Sequence, residues 1–245
     1  ASGDALVKAA MANPIGSTPL YELAKGKKTC TIIISDHTRP VPSRDILPPV
    51  LKALRKGSPD IAITLLVATG FHRPTTTAEL ENKLGAEIAG REKIVVHDSG
   101  DPAMLQKIGT LPSGGALLIN RIAAEADLLV AEGFIEPHFF AGFSGGRKSV
   151  LPGVCDKTTV LGNHCGKFIA SPYARTGVLD KNPLHIDMVA AAKLAKLQFI
   201  VNVIIDEEKK TVAAFAGDLE AAHAAGVAFL RPYCQGDAVP ADIVI

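Results

Sequence analysis

The residues most able to do chemistry lie in the segment IEPHFFAGFSGGRKSVLPG, from Ile135 to Gly153. It contains one histidine, His138, a glycine-rich run and the adjacent cations Arg147 and Lys148. Glycines let backbone N–H groups approach an anion closely, and a helix that begins after them adds a partial positive charge. The segment therefore predicts an anion-binding loop.

This loop does not match the common phosphate-binding motifs. A Walker A motif needs glycine, four residues and then Gly-Lys-Ser/Thr, but in GFSGGRKS Arg147 stands where the second glycine should be. The spacing of Gly142, Gly145 and Gly146 also differs from the dinucleotide fingerprint. The sequence disfavours a P-loop NTPase and a standard NAD enzyme.

Two further polar segments follow apolar runs. SDHTRP (35–40) comes after TCTIIIS, and ATGFHRP (68–74) overlaps the end of IAITLLVAT. Taken alone, the first segment can be a simple turn in which Asp36 caps local backbone, and the second can be a solvated loop. Their coincidence with the glycine loop indicates an active site. The residues expected near one crevice are His37, Arg39, His72, Arg73, His138, Arg147 and Lys148.

Metal binding and amine chemistry remain open at two positions. His164 stands beside Cys165 in GNHC, but no HExxH or paired CxxC frame is present, so a conventional zinc site is not expected. A single histidine could hold a metal whose other donors came from a cofactor; otherwise His164 is capped or solvated. Lys148 is either a solvated lysine at a helix start or an amine nucleophile or covalent anchor.

The elements that must position these residues have an α/β pattern. Nearly continuous apolar runs predict buried strands of a parallel sheet, at 29–35, 61–69, 92–98, 126–132 and 198–205. Helical patterns are PPVLKALRKG ending at Gly57, TTTAELENKLGAEIAG with threonine caps, HIDMVAAAKLAKL, GDLEAAHAAGVAFL and ALVKAAMANPIG. We expect a doubly wound, Rossmann-like sheet with helices on both faces and ligands beyond the carboxyl ends of its strands.

Composition limits the partners and the organisation. The 245 residues carry a net charge of +1 and four cysteines without CxxC pairing. We expect no nucleic-acid partner, no membrane segment and a cytoplasmic location. Residues 1–245 read as a single α/β domain, and both ends suggest a fragment of a longer protein, because one lies within a predicted helix and the other in the strand-like ADIVI.

Taken together, DHTRP, ATGFHRP, the long central motif and GNH resemble the N-terminal cofactor-binding domain of nickel-dependent lactate racemase and its 2-hydroxyacid racemase and epimerase relatives. The resemblance runs from about Asn13 to Ile245. It implies an isomerase with two domains, of which the C-terminal one, with further substrate contacts, is missing here. It leaves the particular 2-hydroxy acid and the oligomeric state open.

The resemblance also implies roles for particular residues. His72 and His138 match paired catalytic histidines, and Arg39 matches a substrate-orienting arginine. Lys148 matches the lysine that links covalently to a nickel pincer nucleotide, and His164 matches the nickel ligand. The other residues implied to bind the cofactor are Asp36, Gly142, Ser144, Gly145, Gly146 and Arg147.

The implied reaction is racemisation by proton-coupled hydride transfer through a 2-keto acid. An expression host without the cofactor's biosynthetic enzymes is expected to give protein without the cofactor, and the fragment is not expected to be an efficient racemase. One alternative is a nickel-independent enzyme that binds a phosphorylated metabolite and uses Lys148 as a nucleophile. Another is a non-catalytic binding or carrier module.

Overall fold

A six-stranded sheet forms the centre of the protein, in a computed structural model that describes residues 1–236. Its strands, in spatial order, are β10 (Thr211–Gly217), β9 (Leu197–Ile205), β6 (Leu128–Phe134), β1 (Thr29–Ser35), β2 (Ala62–Ala68) and β3 (Lys93–Val96). The first five apolar runs predicted from the sequence are the five parallel strands, and only β10 runs antiparallel to its neighbour. The predicted α/β class and mostly parallel sheet are confirmed.

Three strand features were not expected. The hairpin of β4 (Leu105–Thr110) and β5 (Ala116–Asn120) lies outside the main sheet, as does the short pair β7 (Pro137–His138) and β8 (Gly142–Phe143). These strands and β10 lack a long run of branched apolar residues, so their pairing depends on contacts distant in sequence. The strand-like ADIVI lies outside the described residues.

The helices are α1 (Gly3–Ala12), α2 (Leu20–Leu23), α3 (Ser43–Gly57), α4 (Thr77–Leu84), α5 (Ala86–Arg91), α6 (Arg121–Ala124), α7 (Lys157–Asn163), α8 (Gly166–Ile169), α9 (Pro183–Leu194) and α10 (Leu219–Leu230). Two boundaries correct the sequence prediction. Helix α3 begins at Ser43, ahead of Pro48, and the expected helix over TTTAELENKLGAEIAG is two helices, since Gly85 has φ +84° and breaks it. Thr76 and Glu79 form a capping box at the start of α4.

Two apolar layers cover the sheet because strand side chains alternate between its faces. Ile32 and Ile34 pack with α1 and α3, whereas Ile33 packs with residues of α9 such as Met188. The carboxyl ends of β1, β2 and β6 consequently meet at one edge between the layers. None of the helices formed by residues 1–236 has the length and apolar character that crossing a membrane requires.

Candidate active site

A crevice of about 360 Å³ opens where β1, β2 and β6 end. The loop after β1 and the loop after β2 form one side, and the segment after β6 forms the other. Eight of the residues singled out from the sequence as catalytic, substrate-binding, cofactor-binding or metal-binding line it: Asp36, Arg39, His72, His138, Ser144, Gly145, Lys148 and His164. The expected convergence of three loops is present.

Asp36 and His72 form a hydrogen-bonded pair on the first side. The Asp36 carboxylate is buried; its Oδ1 accepts from the Thr38 backbone N–H at 3.1 Å and from the Thr38 hydroxyl at 2.7 Å. Its Oδ2 lies 2.6 Å from His72 Nδ1. Because the carboxylate can only accept, Nδ1 carries the hydrogen and His72 Nε2 keeps a free lone pair. Asp36, which the resemblance implies to bind the cofactor, lines the crevice and orients His72.

His138 has the opposite arrangement. Its Nδ1 accepts from the Ala141 backbone N–H at 3.2 Å, so the ring hydrogen sits on Nε2. The ring stacks on Phe139 and meets Phe140 edge-on, with centroid distances of 4.9 and 4.6 Å. Burial, followed by the nearby charge of Lys148, lowers the pKa of His138 to about 3. The ring is therefore neutral at physiological pH.

Lys148 presents an amine without a counter-ion. It follows the glycine run, in a 3-10 turn over Gly146–Ser149, and lines the crevice. Burial, then the charges of Arg147 and Arg39, lower its pKa to about 7. Among the described residues, no carboxylate and no hydrogen bond raises this pKa. Near neutral pH a large fraction of this amine is unprotonated and nucleophilic.

His164 supplies an uncharged ring nitrogen beside that amine. Its ring meets Phe140 edge-on at 5.3 Å, and its Nδ1 is buried without a well-formed hydrogen bond to residues 1–236, although the Val160 carbonyl is close enough to favour the charged ring. Burial and Lys148 nevertheless lower its pKa to about 4. No cluster of three or more His, Cys, Asp or Glu side chains in the described part of the chain could hold a metal.

Arg147 does not reach the crevice, contrary to expectation. Its side chain is buried behind the glycine loop and donates to the carbonyls of Ala141, Ser144 and Gly145, at 2.8, 3.3 and 3.1 Å. Its other contacts are His185 Nδ1 at 3.0 Å and His223 Nε2 at 3.2 Å. A guanidinium has five donors in a fixed fork, and here the loop itself uses them. Arg147 is thus a support of the loop.

The glycines also serve the loop's own packing. Gly142, Gly145 and Gly146 have φ of +78°, +79° and +53°. A Cβ at Gly142 would stand 2.4 Å from the Val178 carbonyl oxygen, and one at Gly145 would stand 2.7 Å from Asn202 Oδ1. Of the three, only Gly145 lines the crevice. Close internal contacts and left-handed backbone explain these glycines without a ligand.

Ser144 and Asn202 complete the loop's framework. Ser144 lines the crevice, but its hydroxyl donates to the Phe134 carbonyl and accepts from the Glu136 N–H, both at 2.9 Å. Asn202, which sequence reasoning missed, accepts from the Gly146 N–H at 2.8 Å through Oδ1. A buried Asn within the apolar strand β9 was the available signal, since a buried amide needs partners.

His37 and Arg73 lie on the predicted loops but outside the crevice. His37 Nδ1 is 3.0 Å from the Thr75 hydroxyl, and Arg73 makes two hydrogen bonds to Glu79, at 2.6 and 2.9 Å. These contacts join the loops after β1 and β2 to the start of α4. Neighbouring residues on a loop point in different directions, so only part of each motif reaches the crevice.

A buried acid and a lysine under the Asp36–Val41 loop were also missed. Glu132 Oε1 accepts from the Ser43 hydroxyl at 2.7 Å, and burial raises the pKa of its carboxyl. Lys83 donates to the carbonyls of Arg39 and Val41, at 3.1 and 3.3 Å. The signal for Glu132 was a charged residue within the continuous apolar run of β6. Together these side chains anchor the loop that carries Arg39.

Comparison with known proteins gives a consistent match. Residues 1–177 match the family described as lactate racemase N-terminal domain. The chain is 56% identical over 244 residues to a lactate racemase from Thermoanaerobacterium thermosaccharolyticum, covering 100% of this chain and 57% of that protein. It is 57% identical over 239 residues to a lactate racemase from Lactiplantibacillus plantarum, covering 98% and 56%. The chain spans little more than half the length of these relatives.

Solved structures agree. The lactate racemase apoprotein from Thermoanaerobacterium thermosaccharolyticum superposes with a TM-score of 0.93 at 57% identity, over 94% of this chain and 55% of that one. A Thermotoga maritima protein superposes with a TM-score of 0.77 at 22% identity, over 94% and 59% of the two chains. The second likeness concerns the fold alone.

Proposed function

The chain belongs to the lactate racemase family, and we propose that it is the cofactor-binding and catalytic part of a racemase for a 2-hydroxy acid, with lactate the first substrate to test. The observation that carries the proposal is one crevice holding three imidazoles, a free amine and an arginine suited to a carboxylate. The relatives are nearly twice as long, so we also propose that residues 1–245 form one domain and that another part of the complete protein supplies the far wall of the pocket.

The difficulty of the reaction explains the residue types. The α-hydrogen of a 2-hydroxy acid is barely acidic beside a carboxylate, so direct deprotonation is slow. A nickel pincer nucleotide, when bound, would accept that hydrogen as hydride and return it to either face of the resulting 2-keto acid. The chain must then bind the carboxylate and move the hydroxyl proton.

Lys148 and His164 suit the task of holding such a group. Lys148 offers an unpaired amine with a pKa of about 7, and His164 offers an uncharged ring, since its pKa is lowered to about 4. The described residues provide no cluster of three metal-binding side chains, so a metal at His164 would need donors brought by its own cofactor. This supports a cofactor that carries its metal, anchored by one amine and one imidazole.

His72 is the base for the hydroxyl proton. Its Nδ1–H donates to Asp36 at 2.6 Å, which fixes the ring and stabilises the imidazolium that forms when Nε2 takes the proton. His138 carries its ring hydrogen on Nε2, and in this tautomer it donates a hydrogen bond to a substrate oxygen. For His138 to accept a proton there, its ring hydrogen must first move to Nδ1, which costs the bond from Ala141 N. The two histidines therefore serve the two enantiomers unequally.

Arg39 orients the substrate. Its guanidinium can pair with both oxygens of a carboxylate, which fixes the plane of the acid and the direction of its α-hydrogen. The loop that carries Arg39 is anchored from below by Lys83 and packs near Glu132. This fixed loop supports a positioning role rather than a proton-transfer role for Arg39.

One observation favours a second candidate function. A lysine with a pKa of about 7 in a cation-rich crevice also suits a nickel-independent enzyme that binds a phosphorylated metabolite and uses the amine as a nucleophile. Nickel content and the mass of the Lys148 peptide separate the two candidates.

The test uses the complete protein, co-expressed with the enzymes that make the pincer cofactor. We expect about one nickel per chain, a nucleotide-sized mass increment on the Lys148 peptide, and interconversion of L- and D-lactate in a chiral assay. The matched control is Lys148→Arg, which keeps a cation but cannot form the same link. If the folded wild-type protein contains no nickel and its Lys148 peptide shows no mass increment, the cofactor assignment is refuted and the second candidate moves to first place.

A further inference from the structure

The unpaired amine of Lys148 suggests an activity that needs no metal. We propose that, in protein without cofactor, Lys148 condenses reversibly with 2-oxo acids to form an iminium adduct in the crevice. The proposal shares with the proposed function only the assignment of Arg39 to a carboxylate.

The first support is that the amine is both enclosed and unpaired. Lys148 lines the crevice, is only partly exposed, and has no carboxylate partner among residues 1–236. Most lysines in this chain are different; Lys8 and Lys210, for example, are exposed and paired with Asp4 and Glu208. Burial also lowers the pKa of Lys83, but that amine donates to two carbonyls, whereas the Lys148 amine, with its pKa lowered to about 7, lines the crevice without a partner.

The second support is that the surrounding charge selects an anionic carbonyl compound. Arg39 and Lys148 line the crevice, and Arg147 lies directly behind it. Three carboxyl groups lie close to Arg39 or its loop. Asp36 is engaged by Thr38 and His72, Glu132 accepts from Ser43, and Glu136 forms no ion pair with Arg39 within 4.0 Å; burial raises the pKa of both glutamates.

None of these three carboxyl groups forms an ion pair with Arg39 or Lys148 within 4.0 Å. An iminium adds a positive charge, so a neutral ketone would leave the cations uncompensated. A 2-oxo acid brings a carboxylate on the carbon next to its keto group, and Arg39 lines the same crevice as the amine. We therefore expect 2-oxo acids to react in preference to simple ketones.

The step balances without an oxidant or reductant. The Lys148 lone pair forms a bond to the keto carbon while one amine proton passes to the former keto oxygen. That oxygen then takes a second proton from solvent and leaves as water, and the nitrogen keeps its remaining hydrogen in the iminium. His72, whose Nε2 is free, is placed on the same crevice to relay the first proton. Hydrolysis reverses each bond change.

The experiment treats the cofactor-free complete protein with pyruvate and cyanoborohydride at pH 7, then maps reduced adducts by peptide mass spectrometry. We expect labelling of Lys148 at least about tenfold above that of Lys8 and Lys210, because burial lowers the pKa of the unpaired Lys148 amine, whereas the other two are exposed and held in ion pairs. Acetone, the neutral probe, should label Lys148 much less than pyruvate. Equal labelling of all three lysines, or acetone labelling equal to pyruvate labelling, would overturn the proposal.

Two variants distinguish chemistry from misfolding. Arg39→Gln should lower pyruvate labelling of Lys148 much more than acetone labelling, because it removes the partner of the carboxylate as well as one of the charges that lower the Lys148 pKa. Lys148→Met should remove the adduct and leave Lys8 and Lys210 labelling unchanged. Unchanged pyruvate labelling in Arg39→Gln would refute the charge argument.

The outcome is independent of the nickel test. Adducts on Lys148 in protein that never acquires nickel would sustain this inference and refute the cofactor assignment. If the loaded protein contains nickel but the cofactor-free protein forms no adduct on Lys148, the cofactor assignment stands and this inference is refuted. If both hold, the loaded protein should no longer be labelled at Lys148, since its nitrogen is already bonded.

Discussion

The two sides of the crevice use the same residue types in different electrostatic settings. On the first side, Asp36 lies behind His72 at 2.6 Å. On the second side, burial and then the nearby cations Lys148 and Arg147 lower the pKa of His138 to about 3. A histidine backed by a carboxylate is ready to become an imidazolium, whereas a histidine among cations stays neutral and donates or binds metal.

The largest expected effect concerns the amine of the cationic side. Lys148→Met should reduce racemisation by the complete protein at least about 10³-fold, because the proposed covalent attachment of the cofactor is lost. A chiral lactate assay measures the change, and the mass of the peptide gives an independent readout. Retention of more than a tenth of wild-type activity would show that attachment is not needed.

The next effect concerns the support of the cationic side. Arg147→Met removes the donors of three loop carbonyls and the partner of two imidazoles, so we expect the free energy of unfolding to fall by about 3 kcal/mol. Urea denaturation measures this loss. Arg147→Lys is the matched control; it keeps the charge but not the fork, and it should recover only a minor part. Full recovery by lysine would mean that charge alone supports the loop.

A comparable test addresses the support of the first side. Asp36→Asn leaves an amide that no longer stabilises the His72 imidazolium or fixes its tautomer, so kcat should fall about 100-fold with little change in KM. Thr38→Val removes the hydroxyl contact to Asp36 but keeps the backbone N–H contact, so kcat should fall by much less. Equal losses in the two variants would indicate a loss of loop structure instead of histidine chemistry.

A pH titration of stability sharpens the comparison further. Burial, then Arg147, lower the pKa of His223 to about 3, so folded protein holds this ring neutral while the unfolded chain protonates it near pH 6.5. The unfolded state binds more protons below that value, and stability therefore falls as the pH drops. From pH 7 to 5 the loss from His223 is about 2 kcal/mol.

The control is His223→Gln, whose amide can still donate to the Ser144 carbonyl, 2.8 Å from His223 Nε2, but has no titrating ring. Its unfolding free energy should change less between pH 7 and 5 than that of the wild type, measured by urea denaturation at each pH. An identical pH dependence in both proteins would exclude His223 as its source.

The smallest effect belongs to a residue of the same motif that points away. Arg73→Ala should leave racemisation and the melting temperature unchanged within measurement error, because its exposed ion pair with Glu79 lies outside the crevice. A large loss of activity would show that the loops after β1 and β2 depend on this outer contact.

The sequence by itself determined the elements and the edge at which they meet. Continuous branched apolar runs specify buried parallel strands, as in β1 and β6, and polar residues after such strands meet at the carboxyl edge. The antiparallel strand β10 was not predictable in the same way, because its alanine-rich run gains its partner β9 through tertiary packing.

Only the tertiary structure decided which residues of each motif reach the crevice. Arg147 and Lys148 are neighbours of similar charge, yet one turns inward to the loop carbonyls and the other lines the crevice. Asp36 gains its role from His72, which is 36 residues away. A one-dimensional pattern records residue type and spacing, whereas side-chain direction and desolvation arise only when distant segments pack together.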